Sequence, residues 1–448
     1  MTRTSPLIYA ELLSNIRQIS VFASLDTPCD ATTKAELASQ GQRVVLTHAG
    51  QTISPSLPGR VATNARLQIP SLGSKELSWR LPLAEAPASS TMEQLQDNEA
   101  PWSAKQLGSN LEFACRNCNT IVLKEGVINT WKDLPSDNWA EMMEFWHCHK
   151  PDVPEHEKTN GASGQSLADS NANRGYGANT KFVARSGTAL IDSTTFLVSE
   201  SDCSGLQTTK PSQTHSAYQF IDCGNCQKYL GRVDDQAEGI RLYKWRLKSK
   251  SSTPSPQSSS PSLYYFVAAQ LTHLLQSQCT SRVVLYPMGW KPSIISSKAV
   301  PSMSESLPPS QSPIPSTEPT AGLAIRPKNI TTSSLSPSTS PLFISLWILT
   351  PGLRYSASNC LGDEKHSHDI SSNPFSPGKL AMKVFWNTVD EEAAAKLQER
   401  EDTEELSLPL EAIGEVVDCL MGSARMLPPS ARKFQTWNVG LLERYDEG

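Results

Sequence analysis

The sequence predicts a β-rich α+β fold in two blocks, and three observations predict it. Short apolar runs alternate with turn signals through most of the first 250 residues, the pattern of antiparallel strands rather than of helices. Helical periodicity is confined to a few stretches. The clearest are Leu263 to Gln278 and Leu410 to Met421, the latter placing Ile413, Val416, Val417, Leu420 and Met421 on one face. Serine- and proline-rich stretches then cut the chain, at Lys248 to Pro261 and again over 291–340, where 14 Ser and 9 Pro occur without an aromatic residue. Such a stretch buries too little apolar surface to offset the entropy of ordering it. The expected organisation is an N-terminal β block over 1–250, a smaller α+β block over 251–290 and 341–448, and a disordered Ser/Pro linker over 291–340.

Taken in order, Leu7 to Leu13, Ile16 to Phe22, Arg43 to Thr47, Arg60 to Ala62 and Leu67 to Ile69 read as a strand meander. Leu77 to Leu83 adds a strand before a polar surface loop over Ala88 to Asn110. Residues 151–179 are rich in Asp, Asn, Gly and Ser and are expected to form a mobile insert. Lys181 to Arg185 and Thr195 to Ser199 are strand candidates around Gly187 to Ile191, followed by Tyr218 to Cys223, Tyr229 to Gly231 and Leu242 to Leu247. In the C-terminal block Arg282 to Tyr286, Leu342 to Thr350 and Ala381 to Trp386 read as strands. Glu391 to Leu406 reads as a charged, solvated helix, with Gly422 the stop of the next one and a last strand ending at Leu442.

The first chemistry lies in two Cys-x-x-Cys pairs, Cys115 with Cys118 and Cys223 with Cys226. Two such pairs complete the tetrahedron of a structural zinc ion. Here 104 residues separate Cys118 from Cys223, against roughly 15 to 20 in a compact ribbon, so the ion would tie two remote segments of the N-terminal block together. Redox-active dithiols and coincidence are the alternatives. The second chemistry follows the first pair. After Pro135, Ser136, Asp137 and Asn138 all suit a helix N-cap, and Glu141 completes a capping box if Asn138 is the cap. Trp139, Met142, Met143 and Trp146 recur at the spacing of one buried face, and Lys150-Pro151 ends the helix. His147, Cys148 and His149 then fall at its C-terminal end.

Composition narrows the function classes. A charge of −5 argues against general nucleic-acid binding, and no run of 18 apolar residues or signal-peptide core appears. The expected protein is soluble, cytoplasmic and nuclear, without a membrane partner. Its ten cysteines would there stay reduced, which favours metal binding over disulfides. No repeat, phosphate loop, dinucleotide fingerprint or Ser/His/Asp signature is present.

A longer pattern runs through these motifs. It comprises the first Cys pair, Leu134-Pro-Ser-x-Asn-Trp-x-Glu-Met-x-x-x-Trp-x-Cys-His149, Gly187-x-x-Leu-Ile-x-x-x-x-Phe-Leu-Val198, the second Cys pair, Lys383-Val-Phe-Trp386 and Val439-Gly-Leu-Leu442. It resembles the HECT-like ubiquitin-conjugating enzyme (E2)-binding family, whose animal members are named as E3 ubiquitin-protein ligases. The resemblance implies an E2 partner and E3-like promotion or scaffolding of ubiquitin transfer. It also implies a role with the metallo-β-lactamase-type endonuclease of mRNA 3'-end processing, whose site the tryptophan-to-cysteine block would enter through Cys148. Trp139, Trp146, His147, Cys148 and His149 are the partner-binding candidates on that reading. Cys148 is also the candidate reactive thiol, although a helix C-terminus raises a thiol's pKa and so favours metal ligation over nucleophilic catalysis.

A HECT ligase carries ubiquitin on a cysteine in a loop resembling Leu-Pro-x-Ser-x-Thr-Cys-Phe. Leu427-Pro-Pro-Ser-Ala-Arg-Lys-Phe434 is similar, with Lys433 in the cysteine's place. An amine cannot carry a thioester. Two other thiols of the C-terminal block are weighed: Cys419, on an amphipathic helix beside Val416 and Leu420, is expected to be half-buried packing, and Cys360, in a loop without a nearby base, to be a free surface thiol.

Overall fold

The computed structural model describes residues 6–69, 73–84, 99–134, 182–209, 219–251, 260–290, 342–358 and 378–446. The mobile insert and the linker expected above lie outside them. The first third holds β1 (Leu7–Leu13), β2 (Gln18–Ser24), β3 (Lys34–Ala38), β4 (Arg43–His48), β5 (Gln51–Ile53) and β6 (Glu76–Pro82). The middle holds β7 (Leu111–Cys115), β8 (Ile121–Leu123), β9 (Thr130–Asp133), β10 (Thr188–Ile191), β11 (Thr195–Val198) and β12 (Leu206–Thr209). It continues with β13 (Phe220–Cys223), β14 (Tyr229–Asp234), β15 (Gly239–Tyr243) and β16 (Leu247–Ser251). Next come α1 (Leu263–Gln278), β17 (Arg282–Pro287), β18 (Phe343–Ala357) and β19 (Lys379–Val389). The chain closes with α2 (Glu391–Gln398), β20 (Thr403–Leu408), α3 (Leu410–Ala424), β21 (Lys433–Phe434) and β22 (Trp437–Glu443).

The β-rich character read from the sequence is therefore present, with three α-helices among the described residues. Alternation drives strand formation where one face is covered. In β6 Leu77, Trp79 and Leu81 are buried while the residues between them are exposed, the period-two pattern of a half-buried strand.

The sheets cross the boundary expected near residue 250. A nine-stranded sheet has the path β21-β22-β19-β18-β1-β2-β6, with β17 pairing β18 and β20 pairing β17. The long strand β18 makes this possible: on one edge its first half pairs β17 and its last residues pair β1, through Tyr9↔Ala357 and Glu11↔Tyr355. Lys383 donates to Glu11 at 2.8 Å and Tyr9 to the same carboxylate at 2.9 Å, so a charge-assisted link also joins the two ends. Residues between them build a seven-stranded sheet, β12-β13-β14-β15-β11-β10-β9, and a three-stranded one, β16-β7-β8.

One face of the large sheet packs on α1 and α3 through Phe266, Leu271, Ile413, Val416 and Leu420. Met421, expected on that buried face, is 44% exposed, and α3 runs through Gly422 to Ala424. No left-handed cap forms at Gly422, so it does not act as the stop.

Three further expectations are corrected. Glu391 to Leu406 is not one helix: α2 is capped by Asp390, which accepts from the Ala393 amide at 2.9 Å, and ends at Gln398. The chain then enters β20, parallel to β17, where Leu406 and Leu408 share one face and are both buried. Tertiary pairing there outweighs the helix preference of Glu and Leu. Leu242 to Leu247 is not a continuous strand, since a 3-10 turn at Lys244–Arg246 carries the chain from the seven-stranded sheet into the three-stranded one. Arg60 to Ala62 and Leu67 to Ile69 form no strands; Val61 makes only an isolated bridge to Leu83.

Candidate metal centre

The two Cys pairs sit on matching turns. β7 delivers Cys115 and β13 delivers Cys223. In each turn the amide four residues on donates back to the first cysteine's carbonyl, Asn119 to Cys115 at 2.9 Å and Gln227 to Cys223 at 2.8 Å. The amides of Cys115 and Cys223 donate in turn to Thr120 and Lys228, both at 2.8 Å. Asn119 and Gln227 both take a left-handed φ, 62° and 57°. Each turn thus projects two sulfurs to one side while the backbone hydrogen bonds close behind them.

The turns face each other. Sγ of Cys115 lies 3.7 Å from that of Cys226, Sγ of Cys118 lies 3.5 Å from that of Cys223, and all four sulfurs fall within 4.8 Å of one another. Bonds of about 2.3 Å to one tetrahedral ion would set the sulfurs about 3.8 Å apart, whereas a disulfide needs about 2.05 Å. The donor set fits a soft divalent cation. Cys115 and Cys223 are buried and Cys118 and Cys226 half-buried, so the four sulfurs form a cluster that could hold one ion.

Burial pushes the Cys115 thiol up to about 12, while the Thr120 hydroxyl and amide bring Cys118 down to about 6. Without a cation the cluster shares its protons unevenly; a coordinated ion deprotonates its thiols outright.

A strap holds the turns in register. The Gly224 amide donates to the Gly205 carbonyl at 2.8 Å, and the neighbouring Ser204 amide to Val122 at 2.9 Å. Gly205 has φ +64°, and a Cβ there would stand 2.8 Å from Thr120 Cγ2, so only glycine passes between the knuckles without strain. The motif Cys-x-x-Cys was legible in the sequence, but the strap was not.

The structure also reveals a buried lysine that the sequence did not mark. Lys244 is 1% exposed; its ammonium donates to the Pro101 carbonyl at 3.3 Å and lies 5.4 Å and 5.9 Å from the Phe196 and Phe266 ring centres. Burial depresses its pKa to about 8, with Asp192 and Asp133 opposing.

Of the C-terminal thiols, Cys419 is half-buried against the α1/α3 core and burial pushes it up to about 12, as expected of a packing residue. Cys279, which the sequence reading passed over, is exposed just after α1. Lys433 is exposed on the short edge strand β21, with Leu427 buried at the other end of its loop. Trp139, Trp146, His147, Cys148 and His149, the helix expected around them, and Cys360 lie outside the described residues. Among the described residues no helix is long and apolar enough to cross a membrane.

Fold and site together define a β-rich protein with paired cysteine knuckles placed to hold a metal ion. Residues 11–439 match the family model described as HECT-like ubiquitin-conjugating enzyme (E2)-binding, so the chain belongs to that family. An uncharacterized protein of Saccharomyces cerevisiae is 27% identical over 179 residues, 39% of this chain and 44% of its own. An uncharacterized protein of Schizosaccharomyces pombe is 36% identical over 55 residues, 11% of this chain and 16% of its own. The matches span less than half of each relative. No solved structure matches.

Proposed function

We propose that this protein engages a ubiquitin-conjugating enzyme and promotes or scaffolds ubiquitin transfer as an E3-like protein, with zinc in the four-cysteine site as its structural staple. The family match over 11–439 carries the reading. The zinc assignment is supported by the sulfur geometry. Cys115, Cys118, Cys223 and Cys226 would hold the ion, whose contribution when bound is a cross-link between remote segments rather than catalysis.

The mode of action we favour is holding the E2 rather than relaying ubiquitin. A relay needs an accessible, readily ionised cysteine near the C-terminal end. Lys433 occupies the corresponding loop position and Cys419 is half-buried and protonated at neutral pH. None of the described residues bears on a nuclease plug through Cys148.

The test is binding of purified, uncharged E2 enzymes to the zinc-loaded full chain by calorimetry. Saturable binding to at least one E2 is the expected result. Binding to none of a broad panel would remove the reading.

A further inference from the structure

We propose that the cleft between the seven-stranded sheet and α1 binds a small organic carboxylate with an apolar body, held by Arg232, Trp245 and His273. The proposal does not draw on the E2 reading and adds a ligand site to the fold.

Two layers make the cleft. On one side stand Arg232 of β14, Arg241 and Tyr243 of β15, and Trp245 of the 3-10 turn that follows. Arg232 is directly opposite Arg241, and Tyr243 is two residues further along β15, so all three side chains share one face of the sheet. On the other side stand Gln270 and His273 of α1, with Met288 just beyond β17 and Leu408 at the end of β20. The cleft holds about 430 Å3, a volume within the range of small-molecule sites, which favour junctions between packed units.

Donors in this lining await an acceptor. The Trp245 indole nitrogen is buried and has no hydrogen-bond partner in the protein, in a residue only 2% exposed. The Tyr243 hydroxyl donates to the Met288 thioether at 3.7 Å, a weak acceptor. Gln270 and His273 lie three residues apart on one face of α1, and neither side chain has a hydrogen-bond partner among the described residues. A buried donor left unpaired costs stability. A ligand oxygen in the cleft would relieve that cost.

Charge selects an oxyanion. The lining carries two arginines and one carboxylate, Asp192. That carboxylate accepts from the amides and hydroxyls of Thr194 and Thr195 and from Arg241. Asp234, outside the lining, also bonds Arg241. Both acids are thus engaged within the protein, whereas a guanidinium fork suits an incoming carboxylate.

The remaining wall calls for an apolar body. Tyr243 and Trp245, with ring centroids 4.4 Å apart, belong to the α1/α3 core, as does Leu408, and Met288 packs against it. The cleft's apolar end therefore continues that core. Lys244 offers no rival site, since at 1% exposed its ammonium is sealed from any ligand.

The experiment titrates the zinc-loaded full chain by calorimetry with benzoate, inorganic phosphate and benzyl alcohol. Wild type is compared with Arg232→Gln, His273→Ala and Gln278→Ala, and the melting temperature of each is followed. Benzoate is expected to bind saturably and to raise the wild-type melting temperature. Phosphate, which lacks the body, and benzyl alcohol, which lacks the charge, are expected to bind about tenfold more weakly or not at all. Arg232→Gln and His273→Ala should each weaken benzoate by about tenfold at an unchanged ligand-free melting temperature. If one of them melts lower than wild type, the other decides. Gln278→Ala, exposed at the end of α1, should bind as wild type. No saturable benzoate binding by wild type would overturn the site, and so would wild-type affinity in a well-folded cleft variant. Phosphate bound as tightly as benzoate would mark a bare anion site, and benzyl alcohol bound as tightly would mark an apolar void; either overturns the carboxylate assignment.

Discussion

Replacing Cys223 with Ser should remove the zinc and cost the fold about 4 to 5 kcal/mol. The figure follows from the chain that the ion closes. Cys118 and Cys223 are separated by 104 residues, and in the loop-entropy model a cross-link across about 100 residues constrains the unfolded chain by about 4.7 kcal/mol. The real cost also includes packing. Cys115 and Cys223 belong to the buried cluster that includes Phe113, Val122, Phe196 and Leu230, so loosening the knuckles loosens that core. Against a typical total stability of about 5 to 15 kcal/mol, the loss is a large share. Urea unfolding of wild type and Cys223→Ser, with metal content by atomic emission, is the assay. One zinc per wild-type chain, none in the variant and a lowered urea midpoint are the expected outcome. A well-folded wild type without bound metal would refute the reasoning, and so would a variant that loses zinc yet keeps the wild-type midpoint.

Three further outcomes are expected. Lys244→Met should stabilise the protein near pH 7, because the gap between 10.5 and about 8 corresponds to a burial penalty of about 3 kcal/mol, less the lost contact to Pro101. The folded-state pKa is the lower one, so the unfolded chain binds more protons between these values and wild-type stability rises with pH across that window. The variant's advantage should shrink from pH 8 to pH 10.5, and an advantage constant in urea titrations over that range would count against the assignment. Gly205→Ala should cost about 1 to 3 kcal/mol, since it forces a Cβ against Thr120 at a positive φ; thermal unfolding indistinguishable from wild type would show that the strap is slack. Among the described cysteines of the zinc-loaded protein, iodoacetamide should label exposed Cys279 before half-buried Cys419, read by peptide mass spectrometry, and the reverse order would mean that Cys419 is accessible.

Much of this molecule could be read from residue order, and the failures have specific causes. The range Leu263 to Gln278 of α1 was legible to the residue, because a long apolar helix preceded by Ser/Pro sequence has little competition. The alternation in β6 was equally plain. Glu391 to Leu406 misled because the same Glu-Leu spacing serves a helix or a strand, and the parallel neighbour β17, more than a hundred residues away, decides between them. Lys244 escaped notice since nothing local in Leu-Tyr-Lys-Trp-Arg-Leu reveals that a turn there swings the lysine inward between sheets. The four cysteines were legible as a set because metal chemistry demands their spacing. Gly205 was not, since its role depends on contacts with Thr120 and Ile121 made only after folding. The cleft beside α1 was hidden for the same reason: Arg232, Trp245 and His273 come to one place only after folding.

The central claim is that the protein holds an E2 without taking ubiquitin onto its own C-terminal thiols. Incubating the full chain with an E2 already charged with ubiquitin, then separating the products on a non-reducing gel, tests it directly. The account predicts a complex with the E2 and no thiol-sensitive ubiquitin adduct on this chain. A ubiquitin thioester that mass spectrometry maps to Cys279, Cys360 or Cys419 would contradict it.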